Sequence, residues 1–232
     1  MKQTASIVIL FFSLVLSLST QSYAQIRVAC IGNSITAGFG LEHPEQDAYP
    51  AVLGKLLDSE FPNTFEVRNF GVSARTLLFK GDMPWVNEPA FKDVLNYMPH
   101  YIFIKLGTND TKPHNWQYKD EFRMDLQTLI AMIQDSDTLR PQIILCAPIP
   151  VYPNNWGIRD EILVNEIIPI IQSVAKDNNL RFIDLHTNMA NNLYLDDNVH
   201  PNIEGSKVIA QKIFNSVFYN SEMVKSLKNN GK

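Results

Sequence analysis

The sequence predicts an α/β fold in which helices cover both faces of a central parallel sheet of about five strands. Short, nearly continuous apolar runs recur along the chain, as expected for strands that are covered on both faces. Between these runs lie longer segments whose apolar residues repeat at helical spacing. Alternation of this kind is typical of a three-layer sandwich, with the sheet between two layers of helices.

The strands are predicted from runs rich in Val, Ile, Leu and Phe. They comprise residues 26–31, 65–69, 101–106, 142–147 and 180–185. Cys30 and Cys146 fall inside two of these runs. Two cysteines in an exported protein could form a disulfide, but a buried free cysteine behaves as a small hydrophobic residue, so we expect free thiols.

Three amphipathic segments predict the main helices. The first has Phe122, Leu126, Leu129, Ile130 and Ile133 on one face, and the second has Leu163, Ile167, Ile170, Ile171 and Val174. Pro169 lies inside the second pattern, where it should kink or split the helix. A last helix is predicted from about Ile203, with Val208, Ile209, Ile213 and Val217 facing inward.

Residues 1–24 resemble a secretory signal, with one early lysine, an apolar stretch and a Ser-Tyr-Ala segment ending at Ala24. The alternative is a transmembrane anchor, for which the apolar stretch is short. We expect one domain over residues 25–220 and a polar tail over 221–232, in a protein that is exported to the periplasm or secreted. The net charge of −4 without a basic cluster argues against a nucleic-acid or anionic-membrane partner.

Ser34 follows the first predicted strand, in the segment Gly32-Asn33-Ser34-Ile35-Thr36. A hydroxyl at the start of such a turn is exposed and has free backbone N–H groups beside it, which suits a nucleophile. A serine in this position can also simply cap a helix.

His200 is preceded by Asp197 and followed by Pro201, which favours an irregular loop before the last helix. This short spacing lets a carboxylate orient the imidazole as a general base, as in serine hydrolases. Asp196 is an alternative carboxylate, and an ordinary surface aspartate in a capping loop is the other interpretation.

Asn109 follows the third predicted strand, in the segment Gly107-Thr108-Asn109-Asp110. Its side-chain amide could donate to an oxyanion. Asparagine and aspartate are also common turn formers, so this segment alone does not decide between the two roles.

Together, the segments at Gly32–Thr36, Asn69–Ser73, Gly107–Asp110 and Asp197–Pro201 resemble, in order, the four blocks of the SGNH (GDSL-type) hydrolase superfamily. The resemblance implies a flavodoxin-like sheet of order 2-1-3-4-5. It also implies a triad of Ser34, His200 and Asp197, and an oxyanion hole formed by the Ser34 N–H, a second-block N–H and Asn109.

Two positions depart from the family pattern. Asn33 stands where the family usually has Asp, which should affect the turn more than the nucleophile. The second-block glycine aligns with Ala74, which keeps a backbone N–H; Gly71 is the alternative donor. Nearby, Gly71-Val72-Ser73-Ala74-Arg75 starts like the Gly-x-Ser-x-Gly motif of α/β-hydrolases, but Arg75 replaces its last glycine.

The sequence predicts no metal site and no cofactor, because His43, His100, His114 and His186 lack ligand spacing. Trp116 and Trp156 follow the third and fourth predicted strands and could stack on a sugar ring, or could be half-buried loop anchors. The segments around them look most like those of bacterial carbohydrate esterases and sialate O-acetylesterases.

We therefore expect an exported serine esterase that removes O-acetyl groups from sugars or sialic acids through an acyl-enzyme, with a small-molecule or glycan ester as its partner. A lysophospholipase or thioesterase using the same triad is the alternative among enzymes. A non-catalytic carbohydrate-binding module is the alternative outside them.

Overall fold

Five parallel strands form one sheet in the order β2-β1-β3-β4-β5, as the family resemblance implies. The strands are β1 (Ile26–Gly32), β2 (Phe65–Gly71), β3 (Tyr101–Lys105), β4 (Gln142–Cys146) and β5 (Arg181–Ile183). This computed structural model describes residues 25–135 and 140–219. The predicted signal peptide (1–24) and polar tail (221–232) lie outside the described residues.

Burial separates the central strands from the edge strands. β3 is buried throughout, whereas β2 exposes Arg68 and Asn69, and β5 exposes Arg181. The prediction that all five strands are buried on both faces is therefore wrong for β2 and β5, the two edge strands of the sheet. β5 is also shorter than predicted because the Asp184 side chain accepts the N–H groups of His186 and Thr187 and starts a turn.

Helices connect the strands and cover both faces of the sheet, as predicted. They are α1 (Ser34–Ala37), α2 (Pro44–Asp47), α3 (Tyr49–Glu60), α4 (Pro89–Tyr97), α5 (Pro113–Trp116), α6 (Phe122–Gln134), α7 (Asp160–Ile162), α8 (Ile168–Asp177) and α9 (Ile203–Val217). Single 3₁₀ turns lie at Trp85–Asn87, Asn109–Thr111, Lys119–Glu121 and Asn191–Leu193.

Successive residues along a strand point alternately into two separate hydrophobic clusters, one on each face of the sheet. Val28 and Cys30 of β1 point to the side covered by α3 and α9, whereas Ala29 and Ile31 point to the side covered by α4, α6 and α8. This alternation is the period of an extended strand, and it produces the predicted three-layer sandwich. Among the described residues, no helix is both long enough and apolar enough to span a bilayer.

Pro169 splits its helix as predicted. The segment Leu163–Ile167 is a π-helix that separates α7 from α8, and Pro169 lies in the first turn of α8. A proline inside a continuous α-helix would clash with the carbonyl four residues earlier, and the wider π-turn before it avoids that clash.

The two cysteines are free and fully buried, so the prediction of free thiols is confirmed. The β1–β3 register sets Cys30 beside Phe103, so β3 lies between the two cysteine-bearing strands.

Candidate active site

Ser34 begins α1 directly after β1, and the backbone there is tightly packed. The Asn33 side chain caps the helix by accepting the Ile35 N–H at 3.1 Å. A Cβ at Gly32 would lie 2.0 Å from Thr36 Oγ1, so only glycine fits there. As the first residue of the helix, Ser34 has a backbone N–H with no helical acceptor.

Ser34, His200 and Asp197 form one continuous hydrogen-bonded chain. Ser34 Oγ lies 2.8 Å from His200 Nε2, and His200 Nδ1 lies 2.5 Å from Asp197 Oδ2. The second carboxylate oxygen of Asp197 accepts the backbone N–H groups of Val199 and His200 at 3.0 and 2.9 Å. This geometry is that of a nucleophile, its base and an orienting acid.

The environment of Asp197 keeps its carboxylate ionised. Burial alone would raise the pKa of Asp197, but the hydrogen bonds from His200 and the Val199 N–H hold that pKa below its usual range. Asp196, the alternative carboxylate, is exposed and lines a neighbouring cavity instead. The structure therefore pairs His200 with Asp197.

The loop that carries His200 is fixed at several points. The Leu195 N–H donates to the His200 carbonyl at 2.8 Å, and Asn198 takes a left-handed conformation with φ 61°. Val199 is 1% exposed and anchors the loop in the core. The imidazole is therefore held by its backbone as well as by Asp197.

Asn109 and Ala74 line the same cavity as Ser34. Asn109 Nδ2 donates to the Arg75 carbonyl at 3.2 Å, and one of its two amide hydrogens remains for another acceptor. Ala74 has φ 68°, the left-handed conformation that glycine adopts more easily. Within the described part of the chain, the Ala74 N–H has no hydrogen-bond acceptor.

Gly71, the alternative donor, has a different role. Its N–H already donates to Asn69 Oδ1 at 2.9 Å. A Cβ at this position would lie 2.3 Å from the Ala37 nitrogen, so the glycine is needed for close packing of β2 on α1. The structure thus argues against Gly71 as an oxyanion donor and leaves Ala74 as the candidate.

Asp110 holds the loop that carries Ala74, a function that the sequence analysis missed. Its carboxylate oxygens accept the N–H groups of Leu77 and Leu78 at 3.1 and 2.8 Å. Burial raises the pKa of this carboxyl to about 6, although both hydrogen bonds oppose the shift. Asn115 joins the two loops further, donating to the Asn109 carbonyl and accepting the Asp82 N–H.

The cavity at Ser34 is small and mostly apolar, with a volume of about 110 Å³. The sequence analysis anticipated Trp156 in this wall. It missed Phe39 and Ile158. Phe39 packs on the imidazole of His200 with ring centroids 4.6 Å apart, and Trp156 meets the same imidazole at 6.0 Å and 85°. The one sequence signal for Phe39 was its position directly after Gly38, the glycine that ends α1.

Trp116 does not reach this cavity, so the prediction that it binds substrate is wrong. It is 6% exposed and packs edge to face against Phe122, with centroids 5.5 Å apart. The short helix α5 begins at Pro113 and turns the indole into the core. Trp156, by contrast, is 47% exposed.

No group of three or more metal-ligating side chains occurs among residues 25–135 and 140–219. The arrangement at Ser34 is suited to covalent acyl transfer: a serine and a histidine within hydrogen-bond distance, two candidate N–H donors and an amide converge on one small cavity.

A family model described as "GDSL-like Lipase/Acylhydrolase family" matches residues 30–208. An acetylxylan esterase from Xylanibacter ruminicola is 46% identical over 206 residues, which cover 81% of this chain and 42% of that protein. The chain therefore spans about two-fifths of the length of this curated relative.

Solved structures with the same fold include an aryl esterase from M. smegmatis, with a TM-score of 0.69 and 19% identity over 84% of this chain and 98% of that chain. A carbohydrate acetylesterase from Sinorhizobium meliloti has a TM-score of 0.68 and 18% identity, over 83% of this chain and 98% of that chain. At these identities the likeness concerns the fold, and it confirms the predicted α/β architecture.

Proposed function

This chain belongs to the GDSL-like lipase/acylhydrolase family, and from that premise we propose that it is a serine esterase that removes O-acetyl groups from carbohydrates. The expected family is thereby confirmed, whereas the ester-hydrolase activity, the substrate and the residue roles are proposals. One observation carries the proposal: the hydrogen-bonded chain Ser34–His200–Asp197 opens on a small cavity that also contains Asn109.

In the proposed mechanism, Ser34 Oγ attacks the acetyl carbonyl while His200 Nε2 takes its proton. Asp197 accepts a hydrogen bond from His200 Nδ1–H, which fixes the imidazole in the tautomer with a free Nε2, and its negative charge stabilises the imidazolium that forms. The N–H groups of Ser34 and Ala74 and the amide of Asn109 donate to the oxyanion. As the bond between the acetyl carbon and the sugar oxygen breaks, His200 gives its proton to that oxygen, and the sugar leaves as an alcohol. The neutral imidazole then takes a proton from a water molecule that attacks the acyl-enzyme, releasing acetate and regenerating Ser34.

The size of the cavity supports an acetyl ester. A volume of about 110 Å³ lined by Phe39, Trp156 and Ile158 suits a short acyl group and is small for a fatty chain. The identity with an acetylxylan esterase supports an acetylated carbohydrate. The exposed indole of Trp156 supplies a face on which a sugar ring can stack.

We also propose that residues 1–24 act as a cleaved export signal, leaving a mature domain over 25–220 with a polar tail. N-terminal sequencing of the protein recovered from outside the cytoplasm should begin near Gln25. An unprocessed N-terminus at Met1 would contradict this proposal.

The function is tested by measuring acetate release from acetylated xylo-oligosaccharides, an acetylated monosaccharide and p-nitrophenyl esters of increasing chain length. We expect turnover of the acetylated sugars and a clear preference for acetyl over octanoyl esters. Faster turnover of the long-chain esters would favour the lysophospholipase or thioesterase alternative. No turnover of any ester would favour a binding module.

Two tryptophan variants separate binding from folding. Trp156→Ala should raise KM for an acetylated sugar by about tenfold, equivalent to ~1.4 kcal/mol, while p-nitrophenyl acetate turnover changes little. Trp116→Phe is the matched control, because Trp116 is buried outside the cavity. It should reduce the free energy of unfolding and leave KM unchanged. Equal losses on both substrates in Trp156→Ala would contradict a stacking role.

A further inference from the structure

A second cavity lies beside the catalytic one and shares Trp156 with it. It has a volume of about 320 Å³ and is lined by two loops, residues 153–156 and 196–198. Asp197 also lines it, and this aspartate contacts His200 on the catalytic side. A molecule bound at Ser34 that extends past Trp156 would therefore enter this second cavity.

The two walls of this cavity are joined and internally braced. Asn198 Nδ2 donates to the Pro153 carbonyl at 2.8 Å, and the Tyr152 N–H donates to the Asn198 carbonyl at 3.0 Å. Within the first wall, Asn154 Oδ1 accepts the Trp156 N–H at 2.9 Å, and its Nδ2 donates to the carbonyls of Tyr152 and Ile158. The cavity is thus preformed, which lowers the entropy lost when a ligand binds.

Several polar groups in these walls are left for a ligand. Asp196 and Asn155 are exposed, and neither side chain makes a hydrogen bond within the described residues. A free carboxylate and a free amide next to an indole can accept and donate hydrogen bonds to the hydroxyls of a stacked sugar.

The charge of the cavity restricts the kind of sugar. Its only ionisable lining residues, among those that the structure describes, are Asp196 and Asp197. Both are acids, so a uronic or sialic acid would face like charge, whereas a neutral sugar would gain charge-assisted hydrogen bonds.

We propose that this second cavity is a glycosyl subsite that binds the neutral sugar next to the acetylated one. This inference rests on the proposed function, because the acetylated unit must occupy the cavity at Ser34. It implies that the enzyme acts on acetylated neutral oligosaccharides of two or more units in preference to acetylated monosaccharides.

Kinetics with Asp196→Ala and Asn155→Ala test the subsite. For an acetylated xylotriose, Asp196→Ala should raise KM by about tenfold at unchanged kcat, as expected for one lost charge-assisted hydrogen bond. KM for an acetylated monosaccharide and for p-nitrophenyl acetate should stay unchanged. Asp93→Ala is the matched control, because Asp93 is exposed on α4 and lines neither cavity. An unchanged KM for the trisaccharide in both cavity variants would overturn the proposal.

Binding measurements distinguish failure of the subsite from failure of the proposed esterase function. Unacetylated xylotriose is titrated calorimetrically into Ser34→Ala, with and without Asp196→Ala. We expect the second substitution to weaken trisaccharide binding about tenfold and to leave xylose binding unchanged, whether or not the wild type hydrolyses acetylated sugars. Asp196→Asn should in addition improve binding of a uronic-acid trisaccharide. Equal affinity with and without Asp196→Ala, or no binding of xylotriose, would overturn the subsite.

Discussion

At the scale of single residues, Ala74 combines a strained backbone with a free donor. An L-residue at φ 68° is less stable than glycine there by about 1–2 kcal/mol. Ala74→Gly should therefore raise the free energy of unfolding by up to about 1 kcal/mol, since the more flexible unfolded glycine offsets part of the gain. Urea denaturation measures this change, and activity should be retained because the donor is a backbone N–H.

Ala74→Pro is the opposing variant, because it removes the N–H and cannot adopt the left-handed conformation. We expect it to lose activity. Full activity in a folded Ala74→Pro protein would exclude this N–H from the oxyanion hole.

Asn109 is expected to contribute through its side chain alone. Asn109→Ala should lower kcat by about 10²–10³, the usual effect of one lost oxyanion donor. Its KM and melting temperature should change little, because the amide makes one hydrogen bond to Arg75 in the free protein. Steady-state kinetics and a thermal melt of the same preparation test this, and a kcat within threefold of wild type would contradict the role.

Ser34 and His200 should behave as a unit. Each alanine variant should lose nearly all turnover, by about a millionfold, and the double variant should be scarcely worse. A fluorophosphonate should label Ser34 and leave Ser73, which lines the same cavity, unmodified. Labelling of Ser73 together with an active Ser34→Ala protein would contradict the assignment.

The sequence predicted the convergence of those residues that lie in short local motifs. Ser34 and Asn109 lie in short motifs a few residues after a strand, and Asp197 and His200 lie in a short motif before the last helix; the structure brings all four together. Phe39 and Ile158 were missed because they reach the cavity through packing, which leaves no local pattern. Trp116 was misplaced for the same reason, since the direction of an indole depends on the core around it.

At the scale of elements, β3 carries an unusual buried lysine at its carboxyl end. Lys105 is 1% exposed, and its ammonium group has no hydrogen-bond partner among the described residues. Burial lowers the pKa of Lys105 to about 7, while the neighbouring Cys146 opposes the shift. Its pKa in the unfolded chain is about 10.4, so the folded state binds this proton less tightly.

This lysine should therefore make stability depend on pH. Lys105 opposes folding most strongly below pH 7, and its unfavourable contribution disappears as the pH rises from about 7 to about 10.4. Lys105→Met should raise the free energy of unfolding at pH 7 by more than ~1 kcal/mol, and the difference from wild type should narrow by pH 10. Urea denaturation at several pH values measures it, with Lys92→Met, exposed on α4, as the control. A pH-independent difference would contradict this account.

Element boundaries were predicted well where the sequence contains a local stop signal. α9 begins at Ile203 as expected because Asn202 caps it, accepting the Gly205 N–H at 3.0 Å. The split at Pro169 was likewise predicted from the proline itself, but the sequence did not indicate a π-helix there. The limited burial of β2 and β5 was missed because it was judged from apolar content alone, although the sheet order implied by the resemblance places both strands at the edges.

At the scale of the whole molecule, the sheet order keeps the two thiols apart and inaccessible. Burial raises the pKa of Cys146 to about 12 and that of Cys30 higher still. Native protein should therefore react with no thiol reagent, and denatured, unreduced protein should show two free thiols. A titration with and without denaturant tests both statements. Finding no thiols in the denatured monomer would contradict the strand order.

The hydrogen bond between Ser34 and His200 joins residues that are 166 positions apart in the chain. The start of α1, directly after the first strand, supplies one partner, and the loop before the last helix supplies the other. Contacts of such high sequence separation form slowly, because closing the long intervening loop costs conformational entropy before the contact stabilises the fold. During refolding from denaturant, helical circular dichroism should consequently recover before fluorophosphonate labelling does, and a chain still being synthesised should stay inert until its last helix has emerged.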